Sequence, residues 1–336
     1  MKLLVTGGAG FIGSNFIEFM LEKYKEVFIV NLDKLTYAGD VNNLLSIKGN
    51  ENYKFVIGDI CNRDLVESLF NEYRFDGVIH FAAESHVDNS IEKPDTFIQT
   101  NINGTFTLLD VARKTWMDAP FIYKKTYSHC RFLHISTDEV YGTLGDEGYF
   151  SEKTPYSPNS PYSASKAASD MLVRSYYHTY GMNVVTTNCS NNYGPKQHIE
   201  KLIPKIINNA VSLKKIPIYG AGQNIRDWLF VRDHCEAIDK VFRNGESGET
   251  YLIGGNNEKT NLEVVNTICE ILDQKFKDKL KNSTYSSFKE LITFVEDRAG
   301  HDYRYAIDYK KIRDTLDWYP KTSFYNGLKQ TILYYV

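Results

Sequence analysis

The stretch Leu3-Leu4-Val5-Thr6-Gly7-Gly8-Ala9-Gly10-Phe11-Ile12-Gly13 decides the fold of this chain. Its first four residues predict a short buried strand, and the glycines lead into a helix predicted from about Phe11 to Lys23. Glycines at such a turn let main-chain N–H groups approach a diphosphate at the start of the helix. The stretch therefore predicts the first unit of a dinucleotide-binding α/β fold.

The second predicted strand, Val27–Val30, is followed by Asp33, an acid placed to bind the ribose hydroxyls of NAD and to repel the 2′-phosphate of NADP. Further apolar runs at 54–58, 78–81 and 132–135 alternate with helical patterns. This alternation predicts an α/β chain: a Rossmann-like doubly wound parallel sheet at 1–190, with a smaller C-terminal α/β substrate-binding lobe. That lobe, residues 191–336, is expected to return some segments to the first domain.

A pair of adjacent carboxylates follows the predicted strand at 132–135, in Ser136-Thr137-Asp138-Glu139-Val140-Tyr141-Gly142. Ligands of open parallel sheets bind beyond the carboxyl ends of the strands, so Thr137, Asp138 and Glu139 are expected beside a substrate. Adjacent carboxylates are also common on solvated turns. A second motif, which begins twenty residues after Gly142, favours the position beside a substrate over a solvated turn.

That second motif is Tyr162-Ser163-Ala164-Ser165-Lys166, in a helix predicted to begin after Ser160 and to end at Gly181. Tyr162 and Lys166 are four residues apart and share one helix face. A phenol with a pKa near 10 is a poor base at neutral pH, but a lysine cation and a positive nicotinamide favour the phenolate. A tyrosine and a lysine spaced as YxxxK are usually an ordinary exposed pair. Here the motif follows the fifth predicted strand of a dinucleotide-binding fold, and this position favours a catalytic role.

The composition excludes several classes of protein. The 336 residues carry a formal net charge of −3, which does not suggest a nucleic-acid or membrane-surface partner. No window approaches the roughly 18 apolar residues of a membrane span. No metal site is expected, because the histidines show no ligand spacing. Scattered cysteines without a CxxC predict mostly buried free thiols and a cytoplasmic location; they are Cys61, Cys130, Cys189, Cys235 and Cys269.

Together the motifs resemble the extended short-chain dehydrogenase/reductase family, on the evidence of Gly7–Gly13, Asp33, Tyr162 and Lys166. STDEVYG at 136–142, FAAESHVD at 81–88 and NCSNNYGP at 188–195 are similar to the nucleotide-sugar 4,6-dehydratases, above all those acting on dTDP-glucose. The resemblance extends from about Leu3 to Pro320.

The resemblance implies NAD-dependent removal of water from a nucleoside-diphosphate glucose, with dTDP-glucose favoured, to give the 4-keto-6-deoxy sugar. Tyr162, supported by Lys166, would take the O4 proton, and Thr137 would hydrogen-bond O4. Glu139 would remove the C5 proton, and Asp138 would protonate the departing C6 hydroxyl.

The resemblance also implies the residues that surround cofactor and substrate. The residues expected beside NAD are Gly7, Gly10, Phe11, Ile12, Gly13, Asp33, Lys34, Leu35, Thr36, Asp59, Ile60, Phe81, Ala82, Ala83, Ser85, Thr100, Tyr162, Lys166 and Asn192. Those expected beside the nucleotide sugar are Ser85, Thr137, Asn191, Lys201, Leu202, Pro217, Ile218, Tyr219, Arg226, Asn261, Arg298 and His301. Because the planar guanidinium binds two oxygens at once, Arg226 and Arg298 together could clamp one diphosphate, whereas an arginine of this kind taken alone is more often part of a surface ion pair.

A homodimer is implied as well, paired through helices near Asp95–Arg113 and Tyr162–Tyr180. The second helix has more apolar surface than one core face requires, at Ala164, Ala167, Ala168, Met171 and Leu172. The alternative is that these residues pack entirely within one subunit.

Three alternative functions stay open. The first is the same reaction on UDP-glucose, since the chain departs from the family pattern at Asn89, Ala299 and 196–199. The second is a related epimerase or decarboxylase, which shares the tyrosine and lysine but does not need the Asp-Glu pair. The third is a non-catalytic NAD-binding protein.

Overall fold

The computed structural model describes residues 1–297 and 302–336. The strands are β1 (Lys2–Thr6), β2 (Phe28–Asp33), β3 (Tyr53–Ile57), β4 (Gly77–His80), β5 (Met117–Ala119), β6 (Ile122–Tyr123), β7 (Arg131–Thr137), β8 (Val184–Cys189), β9 (Asn191–Tyr193), β10 (Ile216–Tyr219), β11 (Ile225–Phe230), β12 (Thr250–Ile253), β13 (Glu258–Thr260) and β14 (Ile292–Val295). The helices are α1 (Phe11–Lys23), α2 (Arg63–Tyr73), α3 (Val87–Glu92), α4 (Pro94–Phe97), α5 (Thr105–Trp116), α6 (Pro161–Tyr180), α7 (Leu202–Val211), α8 (Val231–Asn244), α9 (Asn261–Lys275), α10 (Lys310–Leu316) and α11 (Phe324–Tyr335).

The central sheet has seven parallel strands in the order β12-β8-β7-β4-β1-β2-β3. From β1 the chain winds outward to β3, and from β4 it winds outward in the opposite direction. The prediction of a doubly wound Rossmann-like sheet is therefore confirmed. The reversal between β1 and β4 opens a crevice at the carboxyl ends of the strands, where such sheets bind ligands.

Both faces of this sheet are covered, which is why every residue of the inner strands β4 and β8 is buried. Leu3 and Val5 of β1 pack into one core with α1 and α8, whereas Leu4 packs into the opposite core with α2, α5 and α6. The alternation follows from the two-residue period of a strand. The sheet is thereby held on both sides, and its carboxyl edge becomes a rigid platform.

Helix α6 begins and ends where the sequence predicts. Ser160 and Ser163 form a capping box, Pro161 occupies the first turn, and Gly181 ends the helix with a φ of 66°. Glycine adopts this positive φ without steric cost, so it is the residue favoured at this position. The caps place Tyr162 in the first turn of the helix, next to the end of β7.

The helix predicted from Asp95 to Arg113 is interrupted. A π-helical segment, Ile98–Gly104, joins α4 to α5. Within it, the Asn101 amide nitrogen donates to Glu84 O at 3.1 Å and to Ser165 Oγ at 2.8 Å, and its oxygen accepts from Glu84 N at 2.8 Å. These three bonds tie the segment to the loop after β4 and to α6. A π-turn changes the direction of a side chain without ending a helix, which sequence periodicity does not reveal.

Much of the rest of the chain builds a second core. A three-stranded sheet, β13-β11-β9, and a parallel pair, β10-β14, pack with α7, α9 and α11. Tyr193, Trp228 and Phe324 meet at its centre, with ring centroids 5.2–6.3 Å apart. β12 returns to the edge of the main sheet. The division at residue 190 stays a prediction.

Two smaller predictions concern the cysteines and the membrane. All five cysteines are free thiols and four of them are buried, as predicted. Among the residues described, no helix combines the length and the apolar character that crossing a membrane requires. The segment 114–130 completes α5 and then forms the short hairpin β5–β6.

Candidate active site

The glycine loop packs α1 tightly against the first turn. Gly7 has a φ of 73°, and a Cβ added there would lie 2.5 Å from the nitrogen of Ala82. A Cβ on Gly13 would lie 2.4 Å from the carbonyl oxygen of Gly7. Only glycine allows both approaches, so the main-chain N–H groups at the start of α1 face the crevice directly.

Asp33, at the end of β2, fixes the rim of the same crevice. Its Oδ2 accepts from the nitrogen of Ala9 and its Oδ1 from the nitrogen of Leu35, both at 2.8 Å. Burial raises the pKa of this carboxyl, while these two hydrogen bonds lower it. Beyond it, Lys34 and Asp59 form an ion pair at 2.7 Å. The charged end of β2 is therefore locked to the glycine loop.

A cavity of about 300 Å³ follows the carboxyl edge of the sheet from this rim to the end of β7. Every residue predicted beside NAD lines it except Leu35, whose main chain holds Asp33 instead. All five predicted catalytic residues line it too: Thr137, Asp138, Glu139, Tyr162 and Lys166. One continuous cavity thus brings together the cofactor residues and the catalytic ones.

The end of β7 sets the positions of the two carboxyl groups. Thr137 ends the strand, and its Oγ1 accepts from the nitrogen of Glu139 at 3.3 Å, which starts a 3₁₀ turn at Asp138–Tyr141. Asp138 is only 2% exposed, whereas Glu139 is partly exposed. The turn places the two neighbours in different environments, and different environments give carboxyl groups different protonation states.

Asp138 is built to hold a proton. Burial raises the pKa of Asp138 well above its usual range, and the nearby carboxyls of Glu139 and Asp227 raise it further. Its Oδ2 has no hydrogen-bond partner among the described residues. Asp138 therefore keeps its proton to a higher pH than an ordinary aspartic acid, and it lines the cavity, which suits it to donate a proton.

Tyr162 and Lys166 face the same cavity from α6. Burial, and then the nearby Glu139, raise the pKa of Tyr162 well above its ordinary value, while a hydrogen bond with Thr137 lowers it. Burial lowers the pKa of Lys166 to about 8, and its Nζ donates to the carbonyl of Ile135 at 2.8 Å. The phenol can lose its proton readily only with positive charge close by, and the Lys166 ammonium is placed to supply it.

Comparison with known proteins agrees with this geometry. The family model described as GDP-mannose 4,6 dehydratase matches residues 4–331. A dTDP-glucose 4,6-dehydratase of Xanthomonas campestris is 53% identical, over 99% of this chain and 92% of that protein. The chain belongs to the nucleotide-sugar 4,6-dehydratase family.

Solved structures of nucleotide-sugar 4,6-dehydratases have the same fold. The dTDP-glucose 4,6-dehydratase of Bacillus anthracis, in complex with NAD, is 47% identical with a TM-score of 0.86, covering 100% of this chain and 96% of that one. The enzyme of Streptomyces venezuelae, also with NAD bound, is 42% identical with a TM-score of 0.87, covering 100% and 97%.

The residues predicted beside the nucleotide sugar are only partly brought together. Ser85, Thr137, Asn191 and Lys201 line the cavity. Six others lie outside it, namely Leu202, Pro217, Ile218, Tyr219, Arg226 and Asn261. Arg298 and His301 lie outside the described residues. For this member of the 4,6-dehydratase family, the sugar-binding set beyond the cavity stays a prediction.

Arg226 makes contacts that differ from the predicted diphosphate clamp. Its Nη1 donates to the carbonyls of Ile225 at 2.7 Å and Tyr303 at 3.2 Å, and its Nη2 to that of Asp302 at 2.9 Å. Its guanidinium carbon lies 4.3 Å from the centroid of the Tyr305 ring. These contacts hold the segment that follows residue 301.

Sequence reasoning missed residues that complete the cavity wall. Tyr37 lines it and its hydroxyl lies 3.2 Å from Ser85 Oγ, although no local pattern marks this tyrosine. His234 lies behind the wall, where its Nδ1 is 2.9 Å from Asn192 Oδ1. Burial lowers the pKa of His234 to about 3, so the neutral ring orients the Asn192 amide. Only the tertiary fold brings α8 to β9, so sequence spacing could not reveal this pair.

One group with metal-ligand chemistry lies at the opposite, amino-terminal edge of the sheet. The possible ligand atoms of Asp76, His129 and Cys130 lie within 4.8 Å of one another. Burial raises the pKa of the Cys130 thiol to about 12, which opposes the thiolate that a metal requires. The expectation of no metal site stays a prediction.

Proposed function

We propose that this chain catalyses the NAD-dependent dehydration of dTDP-glucose to the 4-keto-6-deoxy sugar. One observation carries the proposal: Asp138, a buried carboxyl group with a raised pKa, and its partly exposed neighbour Glu139 share a cavity with the Tyr162–Lys166 pair. Oxidation at C4 requires only Tyr162 and Lys166. Elimination of water between C5 and C6 requires a base and an acid as well.

The described residues fit NAD as the cofactor. The cradle formed by Gly7 and Gly13 leaves room for a diphosphate at the start of α1, where a Cβ would collide with main chain. The Asp33 carboxylate lies at the rim, where it would accept from ribose hydroxyls and repel a 2′-phosphate. When bound, NAD accepts a hydride from C4 and later supplies one to C6.

The residues of α6 and β7 carry out the first half of the reaction. Thr137, which lines the cavity together with Tyr162, holds the C4 hydroxyl of the sugar in place. Tyr162 accepts the O4 proton, and the Lys166 ammonium stabilises the phenolate that this requires. The resulting ketone withdraws electrons and acidifies the hydrogen on C5.

The two carboxyl groups carry out the elimination. Glu139 removes the C5 proton, and Asp138 gives its proton to the C6 hydroxyl, which leaves as water. After hydride return to C6, C5 regains a proton from Glu139. The proton that Tyr162 took from O4 passes to solvent, and Asp138 takes one proton back from solvent, so that both groups return to their starting states. The raised pKa of Asp138 matters here, because hydroxide is a poor leaving group and needs a proton donor.

Product analysis on two substrates tests the proposal. The purified protein is expected to convert dTDP-glucose to a product lighter by one water, with a ketone at C4 and a methyl group at C6. UDP-glucose is expected to react with a lower kcat/KM, since one methyl group contributes about 10- to 200-fold in an apolar pocket. A product of unchanged mass would indicate an epimerase, loss of carbon dioxide from a uronic-acid substrate a decarboxylase, and no reaction with any nucleotide sugar a binding protein.

We also propose that two copies of the chain pair through α5 and α6. A stripe of small and apolar residues faces outward on α6, at Ala164, Ala168 and Met171, spaced for one helix face. Exposed apolar side chains, Ile98 and Phe106, extend along the neighbouring helix. Ala167, predicted to share this surface, is instead buried in its own subunit.

The free thiols support a cytoplasmic location for this dimer.

A single charge on the α6 stripe is expected to dissociate the dimer. Met171 is 59% exposed in one subunit, so Met171→Glu should change the stability of the isolated subunit little. In the dimer, however, it places a carboxylate in an apolar interface. Leu333→Glu, on α11 and equally exposed at 59%, is the matched control. Light scattering at micromolar concentration should give a dimer for the unchanged chain and the control and a monomer for Met171→Glu. A monomer for the unchanged chain contradicts the pairing.

A further inference from the structure

A second carboxyl group lies deep beneath the proposed site, one helical turn after Lys166. Asp170 on α6 is 4% exposed. Its Oδ1 lies 3.0 Å from His134 Nε2, and its Oδ2 accepts from Ser136 Oγ at 2.9 Å, Tyr156 OH at 3.0 Å and Asn188 Nδ2 at 3.1 Å. Hydrogen bonds donated to a carboxyl group stabilise its anionic form.

His134 is a hydrogen-bond donor to Asp170 and not its counter-ion. Burial lowers the pKa of His134 to about 4, and the nearby Lys166 lowers it too, so the ring is neutral at neutral pH. Its proton then lies on Nε2, facing Asp170, because Nδ1 has no partner among the described residues. The negative charge of Asp170 is therefore left to act on Lys166.

The other ionisable groups that face Lys166 are uncharged at neutral pH. They are Tyr162 on α6 itself, His134 on β7, His80 on β4 and Cys189 on β8. Burial lowers the pKa of His80 well below its usual range and raises that of the Cys189 thiol to about 12. Beyond β7, Glu139 acts mainly on Asp138 and Tyr162. Among these groups Asp170 is the anion that opposes the burial of Lys166.

We propose that Asp170 is a positioning residue whose fixed negative charge holds Lys166 as an ammonium ion and thereby supports the Tyr162 phenolate. The proposal rests on the proposed function for its link to catalysis, but the charge state of Lys166 can be measured without substrate. Asp170 acts through Lys166, because it does not line the cavity.

Replacing Asp170 by Asn tests the charge while keeping the shape. An amide oxygen can still accept from the three donors at the Oδ2 position, and its NH₂ can donate to His134 in the other tautomer. With the charge gone, Lys166 loses its proton at lower pH and Tyr162 becomes harder to ionise. The acid limb of kcat against pH should move up by about one unit or more, with about a tenfold loss at pH 7.

Tyr156→Phe is the matched control. It removes one hydrogen bond to the same carboxylate but leaves the charge, so the acid limb should not move up. An equal upward shift in both variants would mean that the limb reports a disturbed network and not the charge, which would overturn the proposal. An unshifted limb in folded Asp170→Asn would overturn it too.

The charge state of Lys166 gives a readout that does not depend on turnover. In protein with ¹³Cε-labelled lysine, the Lys166 resonance, assigned with a Lys166→Arg variant, should titrate at lower pH in Asp170→Asn than in the unchanged chain. If Asp170→Asn does not fold, the unchanged chain decides: titration near or above pH 8 supports the proposal, and titration below pH 7 overturns it. A normal Lys166 titration without any turnover would contradict the proposed function and leave the charge role standing.

Discussion

Replacing Tyr162 by Phe should lower kcat by about 10²- to 10⁴-fold, the contribution of a positioned acid–base group. The loss should occur at the first step, because Tyr162 is the group proposed to take the O4 proton, with Lys166 one helical turn away. The ring should keep its place, since Tyr162 is held in the first turn of α6 and packs edge-on against Phe97 at 6.3 Å. Single-turnover absorbance of reduced nicotinamide, together with exchange of the C5 hydrogen into deuterated water, measures this step. Both should be nearly abolished.

A second buried tyrosine provides the control. Tyr141 ends the 3₁₀ turn after β7 and stacks on Phe150 at 5.3 Å, but it does not line the cavity. Tyr141→Phe should keep C5 exchange within a few-fold of the unchanged chain. If Tyr162→Phe oxidises C4 as fast as Tyr141→Phe does, Tyr162 is not the base.

Glu139→Gln and Asp138→Asn should stop the reaction at two different points. Glu139→Gln should still oxidise C4 but fail to exchange the C5 hydrogen, because the amide cannot accept that proton. Asp138→Asn should oxidise C4 and keep C5 exchange, yet stall at the loss of water. Each is expected to lower product formation by about 10²- to 10⁴-fold. Asp138→Asn should fold well, since the burial of Asp138 already favours its neutral form and Asn has nearly the same shape.

Mass analysis of the recovered sugar separates these outcomes. Sugar from Glu139→Gln should carry no deuterium at C5, and sugar from Asp138→Asn should carry deuterium but keep its C6 oxygen. The two variants therefore serve as controls for each other. Exchange at the unchanged rate in Glu139→Gln would show that another group removes the C5 proton.

The fold was predictable because its determinants are local in sequence. The Gly7–Gly13 turn, the acid at Asp33 and the caps of α6 at Ser160 and Gly181 each act within a few residues of the element they shape. The carboxyl edge of a parallel sheet then brings the ends of its strands together whatever lies between them. That is why Thr137 and Tyr162 could be placed in one cavity from spacing alone.

The remaining features depend on contacts between distant parts of the chain. The Asp170 network joins β7, β8 and the segment before α6, and no spacing rule connects Asn188 or Tyr156 to it. Arg226 was predicted as a diphosphate clamp from its chemistry, but its contacts depend on the fold of residues 302–305. The π-turn at Ile98–Gly104 is likewise set by what Asn101 contacts across the molecule.

The measurement that tests the central claim most directly uses dTDP-glucose carrying deuterium at C4. If oxidation, elimination and hydride return take place within one site, the deuterium should be recovered at C6 of the 4-keto-6-deoxy product, with C5 hydrogen drawn from solvent. Nuclear magnetic resonance of the product locates the label. A dehydrated product with no deuterium at C6, or recovery of the label at C4 without loss of water, would contradict the account.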